Sequence, residues 1–540
     1  MRATAGETMT FLKLLEDGHA SLRRIGLTAA VGGLTNGVIL AVVNLAADVA
    51  EDHHSSPALL MVFLCAVGVV AISQRAVIRL MSREVEGIIV SLRLDLVERI
   101  RASDVLAVEA IGRGTLYNVM SAEAQVISRN LPTIVNGAQA ALLVVFTMLY
   151  LLWLAPAALL LVAAMTGIEA LAYVRRTRRR RENLDAAYRL ERVVVERLVD
   201  VLDGAKEAKL NGLRSAQLQA HFAASARAAA AAKIRAQTDI GDEFIFGRTL
   251  FYLILAAVVF VAPTFSDTLG NNAAKATATI LFLMAPVNAV LLALPMLDLV
   301  NVAAANLRAL QMRLSPASPP HPPAEAPAFT TLELRDIRFA YPTGSGGPGF
   351  AIGPFDLTIR RGEVLFITGA NGFGKSTLLK VIAGLYTPQT GEILLDGASV
   401  DDRERYRALF ASVFTDFHLF PELYGVEAGA AEVGDVLRRL EIDSKVHVVN
   451  GMFNTVKLSA GQRKRLALAV ALLERRPILV LDEWAAEQDP LFRRTFYEEI
   501  VPWLRAGGRT VVAVSHDDRY FGAADRCLLL EGGRFREWKP

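Results

Sequence analysis

The residues best suited to chemistry lie in the second half of the chain. Gly369-Ala-Asn371-Gly372-Phe-Gly374-Lys375-Ser376 follows the apolar run VLFIT at 364–368 and opens a helical pattern that begins with Thr377 and Leu378. This is the G-x-x-x-x-G-K-[ST] pattern in its required strand-to-helix context. Its glycines let successive backbone N–H groups wrap phosphates at a helix N-terminus, while Lys375 reaches the β and γ oxygens and the Ser376 hydroxyl binds Mg²⁺. About a hundred residues on, the apolar run ILVL ends in Asp482-Glu483. One carboxylate is placed for Mg²⁺ and the second to orient or deprotonate an attacking water. Two adjacent acids can also be a solvated loop. Following an apolar strand downstream of a phosphate loop, they point to hydrolysis of ATP as well as binding.

The elements that must carry these groups form an α/β domain. From Leu332 onward, short strand-like runs (VLFITG, GEILLDG, ILVLDE, TVVAVSH) alternate with helical stretches. Ahead of them, Ser-Pro-Ala-Ser-Pro-Pro-His-Pro-Pro at 315–323 reads as an extended, semi-rigid linker. We place the linker at 314–329 and the nucleotide-binding domain at 330–540.

Residues 1–313 differ in kind. The chain is 53% apolar over 540 residues, with a mean hydropathy of +0.35, too oily for a wholly soluble protein. Six stretches near 25–47, 58–78, 133–153, 155–174, 243–262 and 277–299 approach or exceed the ~20 apolar residues that cross a bilayer. The connection after the first carries Asp48, Glu51 and Asp52 without Lys or Arg, whereas 79–132 and 175–242 open on Arg79 and Arg83 and on Arg175, Arg176 and Arg178–Arg181. Basic residues favour the cytoplasmic side, which puts those two long connections, the N-terminal segment 1–24 and the nucleotide-binding domain in the cytosol. Apolar spacing at Leu184, Leu190, Val194, Leu198 and Leu202 continues the membrane helices into that compartment. A net charge of +3, with basic residues beside apolar runs, argues against nucleic acid as a partner. Cys65 and Cys527 make neither a disulfide framework nor a metal site.

Leu458-Ser459-Ala460-Gly461-Gln462 resembles the LSGGQ signature of ABC ATPases, with Ala460 in place of a glycine. The resemblance implies that Ser459, Gly461 and Gln462 close over ATP held by a second copy of the chain. It also matches His516 to the switch histidine, Asp489 to the D-loop and Tyr341 to the aromatic residue that stacks on adenine. The fold it implies is an all-α six-helix transmembrane domain of type IV ABC exporter kind, followed by an α/β P-loop ATPase domain. The family's Q-loop glutamine falls on Thr415, which leaves Thr415 or Asp416 to approach Mg²⁺; Asp416 is the candidate metal ligand. The stretch from Thr415 to Leu458 is short for the family's helical subdomain, and Val449-Asn-Gly-Met452 does not resemble the usual acidic loop before the signature.

The runs Leu481–Pro490, Phe492–Tyr497, Ser515–Phe521, Thr415–Phe420 and Lys457–Arg465 resemble the cyclic-peptide exporter family, pumps for lipopeptides, siderophore precursors and a lasso microcin. That resemblance implies export of a peptide or peptide-derived product across a bacterial inner membrane by a homodimer; a lipid or multidrug exporter, an ATP-gated channel and a membrane-remodelling ATPase remain alternatives. Neither the cargo nor an outer-membrane or periplasmic partner can be read from these residues. Within the expected spans, Asn36, Asn44, Asn136, Gln139 and Asn288 either line a polar path or bond helix to helix. Glu169, ~9 Å of helix rise from Arg175, either pairs at the inner surface or serves the cargo.

Overall fold

The computed structural model describes residues 22–51, 56–261, 273–316, 325–342 and 349–538. Most of the proline-rich linker, the segment 1–21 and the end of the fifth expected span lie outside them. Two compact units emerge: Met1–Asp95 with Leu116–Leu310, and Leu96–Thr115 with Gln311–Pro540. The second unit therefore borrows a piece of the helical half of the sequence.

In the helical unit, α1 (Leu22–Glu51), α2 (Pro57–Ala102), α5 (Ala124–Leu154), α6 (Pro156–Asp203), α8 (Gly212–Ala256) and α9 (Ala273–Arg313) each overlap one expected span, in order, with α8 continued by a π-helical turn to Val261. Between them lie the short helices α3 (Val105–Ile111), α4 (Arg113–Asn118) and α7 (Ala205–Leu210). By length and hydropathy, Pro57–Ala102, Arg113–Leu154, Gly212–Val261 and Lys275–Arg313 can each cross a membrane, and α1 holds a shorter apolar run, Ala30–Ala46. The span at 155–174 falls in α6, where part of the side chains, Glu169 among them, lies outside the described residues. Ile72, Leu149, Trp153, Leu160 and Phe260 are strongly exposed on these helices, as apolar side chains facing lipid would be. The long basic connections continue their helices without a break, α2 to Ala102 and α6 to Asp203.

Small residues let these helices approach closely. A Cβ on Gly137 of α5 would stand 2.2 Å from the Cβ of Ala293 on α9. Asn44 of α1 is 3% exposed and donates to Tyr150 Oη at 3.1 Å and Thr279 Oγ1 at 3.2 Å, so here a span asparagine bonds helix to helix.

In the second unit, β1 (Thr331–Ala340), β2 (Ala351–Arg360), β4 (Thr390–Leu395) and β5 (Ala398–Ser399) form an antiparallel sheet in the order β2-β1-β4-β5. A six-stranded sheet has the order β12-β11-β3-β10-β9-β6, built from β3 (Val364–Thr368), β6 (Phe410–Val413), β9 (Ile478–Asp482), β10 (Thr510–Val514), β11 (Arg526–Glu531) and β12 (Arg534–Glu537). Strands β6, β9, β10, β3 and β11 run parallel. β3, β9 and β10 are buried at every residue, the continuous apolar text of central parallel strands. Helices α10 (Lys375–Ile382), α11 (Arg403–Arg407), α12 (Ala430–Arg439), α13 (Ala460–Leu473), α14 (Pro490–Thr495) and α15 (Val501–Ala506) complete the domain. The short stretch before the signature holds α12 and a tight hairpin, Val448–Val449 paired with Met452–Phe453. Asn450 and Gly451 turn it with φ of 52° and 76°, the left-handed pair of a two-residue hairpin.

The approach of α5 to α9 yields a stability test. Gly137→Val should lower the thermal midpoint of the detergent-solubilised protein by the equivalent of ~1–3 kcal/mol, the usual cost of overpacking. Gly68→Ala, with nothing within 4 Å of the new Cβ, should leave it unchanged.

Candidate active site

The five parallel strands end on one edge, and the expected groups follow from those ends. Val514 of β10 pairs with Asp482 of β9 and with Ile367 of β3, while Val413 of β6 pairs with Leu481. The phosphate loop, Asp482-Glu483, His516 and Thr415 are thereby gathered by register alone.

Gly369, Gly372 and Gly374 have φ of 151°, 87° and 85°. At Gly369 a Cβ would meet the Leu530 carbonyl oxygen at 2.5 Å, and at Gly374 the Ile352 side chain at 2.4 Å, so side chains are excluded by space as well as by backbone. Asn371 and Gly372 turn the loop tip, and Lys375 and Ser376 begin α10. Lys375 is 5% exposed, and its Nζ donates to the carbonyls of Gly369 at 2.9 Å and Ala370 at 3.1 Å. Burial pulls its pKa down, opposed by the carboxylates of Glu483 and Asp482. An ammonium so enclosed gains charge compensation when phosphate arrives.

Asp482 is 1% exposed, and its two oxygens accept from Ser376 Oγ at 3.1 Å and Thr415 Oγ1 at 3.3 Å. Burial pushes this carboxyl up, and the hydroxyls of Ser376 and Thr415 partly offset that. A carboxylate and two hydroxyls are hard oxygen donors that suit Mg²⁺. Among the described residues no group of three or more His, Cys, Asp or Glu could hold a metal, so the remaining ligands would be phosphate and water.

Asp416 is placed differently from expectation. Its carboxylate lies 3.7 Å from Lys380 Nζ and is well exposed, whereas Thr415 reaches Asp482. The group beside Asp482 is the Thr415 hydroxyl, and the Asp416 carboxylate is drawn to the ammonium of Lys380.

Glu483 sits at φ 48°, which lifts its carboxylate off the strand, and His516 Nε2 lies 3.3 Å from its Oε1. Lys464 Nζ donates to the Glu483 carbonyl at 3.0 Å. Tyr341 Oη lies 3.2 Å from Thr377 Oγ1, which joins the expected adenine platform to the first turn of α10.

Ser459 caps α13: its Oγ accepts from Gln462 N at 3.4 Å and Gln462 Oε1 accepts from Ser459 N at 3.3 Å, a capping box. Gly461 passes close to the Glu487 carbonyl oxygen, 3.1 Å from where a Cβ would stand, and its own carbonyl accepts from Gln488 Nε2 at 3.2 Å. Sequence reading missed Arg465. It donates to Gln488 Oε1 and Asp489 Oδ2, and it lies 3.5 Å from the centre of the Phe492 ring. Asp489 in turn caps α14 by accepting from Phe492 N at 3.0 Å. That backbone bond, with the Arg465 charge, holds its carboxyl below the ordinary range. The D-loop residue is therefore tied to the signature helix of its own chain.

A second group that sequence reading missed joins the borrowed segment 96–115 to the ATPase core. Tyr386 Oη donates to Glu109 Oε2 at 2.6 Å, Lys380 Nζ lies 3.4 Å from Glu109 Oε1, and Val105 and Leu106 pack against the core beneath the phosphate loop. Tyr386 stacks on Phe339 and meets Tyr341 edge-on at 5.8 Å. Burial and the adjacent carboxylate push the Tyr386 hydroxyl up, so it stays a proton donor.

Residues 352–486 match the family model described as ABC transporter. Apolar helices followed by a domain of this kind define the class: the chain carries an ABC transporter ATPase domain, behind helices of which four among the described residues are long and apolar enough to cross a membrane. Its fold is similar to a bacterial Atm1-family ABC exporter solved with ATP bound, with a TM-score of 0.77 and 22% identity over 96% of this chain and 95% of that one. In sequence it is 38% identical over 355 residues to the ATP-binding protein SyrD of Pseudomonas syringae pv. syringae, a match that spans 61% of each chain. It is 32% identical over 230 residues to the putrescine transport ATP-binding protein PotG of Escherichia coli (strain K12), 40% of this chain and 59% of that relative.

Two outcomes check this geometry. Glu483→Gln should retain ATP binding and lower steady-state hydrolysis at least about a hundredfold, because the water loses its orienting carboxylate while the phosphate contacts persist. Thr415→Ala should raise the Mg²⁺ concentration for half-maximal hydrolysis roughly three- to tenfold, the worth of one hydrogen bond, and Asp416→Ala should leave it in place.

Proposed function

We propose that the chain is one half of an ATP-driven homodimeric pump that exports a peptide or peptide-derived product across the bacterial inner membrane. The observation that carries the dimer is the orientation of the signature. Ser459 is exposed and bonds its own capping partner, and among the described residues no hydrogen bond joins Ser459, Gly461 or Gln462 to the phosphate loop 369–377. A helix N-terminus with an exposed serine is an anion site waiting for phosphate, and a second copy supplies that phosphate. Two such copies give two equivalent sites.

Within each site, Lys375 and the loop N–H groups would hold the β and γ phosphates, and Ser376, Asp482 and Thr415 would hold Mg²⁺, which would supply charge neutralisation to the phosphate oxygens. Glu483 orients the water, and His516 fixes that carboxylate. Tyr341 offers its ring to adenine. The peptide cargo is supported by the resemblance of the Thr415–Phe420, Lys457–Arg465, Leu481–Pro490, Phe492–Tyr497 and Ser515–Phe521 stretches to cyclic-peptide exporters. The positive bias of the long connections supports their placement, with the ATPase domain, on the cytosolic side.

Inside-out vesicles carrying the protein test the reading. With ATP they should accumulate a fluorescent cyclic peptide, and the Glu483→Gln form should not. Ion conductance on ATP binding without peptide uptake would show a channel instead.

A further inference from the structure

Not every polar side chain in the membrane helices is consumed by packing. Asn44 is fully engaged by Tyr150 and Thr279. By contrast, Asn36 of α1, Gln74 of α2, and Asn136 and Gln139 of α5 lie on cavity walls. They line two adjoining cavities of about 270 and 440 Å³, whose common wall includes Gln74, Asn136 and Gln139. The Nε2 of Gln139 is shut off from solvent and has no hydrogen-bond partner among the described residues. A buried amide nitrogen left so is destabilised until an acceptor reaches it. Two prolines also border the space, Pro132 of α5 and Pro286 of α9. Each lacks the N–H that would bond the carbonyl one turn earlier, which leaves that carbonyl without its usual helical donor.

The charge of the wall is equally informative. The lining residues include no Lys, Arg or His, and one acid, Glu86, which accepts from Ser128 at the end of the smaller cavity. An anionic lipid headgroup finds no counter-charge there. A carboxamide, however, is the peptide bond's own chemistry, one carbonyl acceptor beside N–H donors, and it pairs with a peptide group as backbone pairs with backbone.

We propose that Asn36, Gln74, Asn136 and Gln139 form the cargo site and that they read the backbone amides of a peptide, not its side chains. This rests on the peptide-export reading above. It accounts for a pump whose cargo is held without a charged pocket, and it makes exposed backbone N–H and C=O groups the feature selected. A cyclic peptide presents such groups without charged termini.

The test uses the full-length protein in lipid nanodiscs. The probe is a cyclic hexapeptide of alternating alanine and glycine, together with its fully N-methylated counterpart, which has no N–H. The hexapeptide should stimulate ATP hydrolysis and the N-methylated form should not. Gln139→Met and Asn136→Leu, close in shape and unable to bond amides, should each raise the half-maximal peptide concentration on the order of tenfold, one hydrogen bond's worth, with the KM for ATP unaltered. That unaltered KM certifies folding. Gln139→Asn, still an amide, should fall between the wild type and Gln139→Met. Stimulation with the same half-maximal concentration in wild type, Gln139→Met and Asn136→Leu would overturn the site and leave peptide export standing. Equal stimulation by the N-methylated peptide would overturn backbone reading. Stimulation by an anionic phospholipid in place of the hexapeptide would overturn the cargo class and the site together.

Discussion

One buried carboxylate holds the catalytic edge together. Asp482, at the end of the central strand β9, accepts a hydroxyl from the phosphate-loop helix on one oxygen and a hydroxyl from the turn after β6 on the other. Charge this deep is costly unless it is fully engaged, so the site has an electrostatic demand that a divalent cation bearing phosphate would satisfy. The burial of β3, β9 and β10 makes the strand ends converge, and that convergence is what Asp482 links. Loss of the apolar runs would scatter the loop, the carboxylates and His516 together.

Much of this was legible in the sequence because it is written locally. A phosphate loop is contiguous, its strand and helix adjoin it, and the acids follow directly on an apolar run. The long apolar helices, four of which among the described residues can cross a membrane, were legible because a bilayer demands long apolar stretches. What escaped is non-local or a matter of aim. Nothing near Tyr386 reveals a partner such as Glu109, far earlier in the chain. Arg465 reads as one more basic residue on an exposed helix start until the fold brings Asp489 and Gln488 against it. Thr415 and Asp416 are neighbours, and charge favoured the aspartate as metal ligand, but the turn after β6 aims the hydroxyl at Asp482 and the carboxylate at Lys380. The span asparagines illustrate the same limit: Asn44 and Asn136 are one residue type in similar text, and one bonds neighbouring helices while the other faces a cavity.

The residues around the signature are bound to one another. In the proposed dimer Ser459, Gly461 and Asp489 would face a partner's nucleotide, and within the chain they are joined through Arg465 and Gln488. The guanidinium lies against Phe492 and bonds both residues, so α13 and the start of α14 move as one piece. With α12 and a tight hairpin as the other additions between β6 and α13, the subdomain has little slack to absorb such a motion.

The segment Leu96–Thr115 belongs by its contacts to the ATPase unit, although it lies in the membrane half of the sequence. Glu109 meets Tyr386 and Lys380, Asp104 lies 3.8 Å from Arg407, and the backbone N–H of Ser315 donates to Ser103 Oγ at 2.8 Å. The boundary between modules is thus not where the proline-rich linker suggests. Anyone grafting this ATPase domain onto another protein's helices by cutting at the linker would leave a phenol and an ammonium without their carboxylate. A faithful transplant carries two pieces of chain, the C-terminal domain and the short helical segment that ends the second membrane helix.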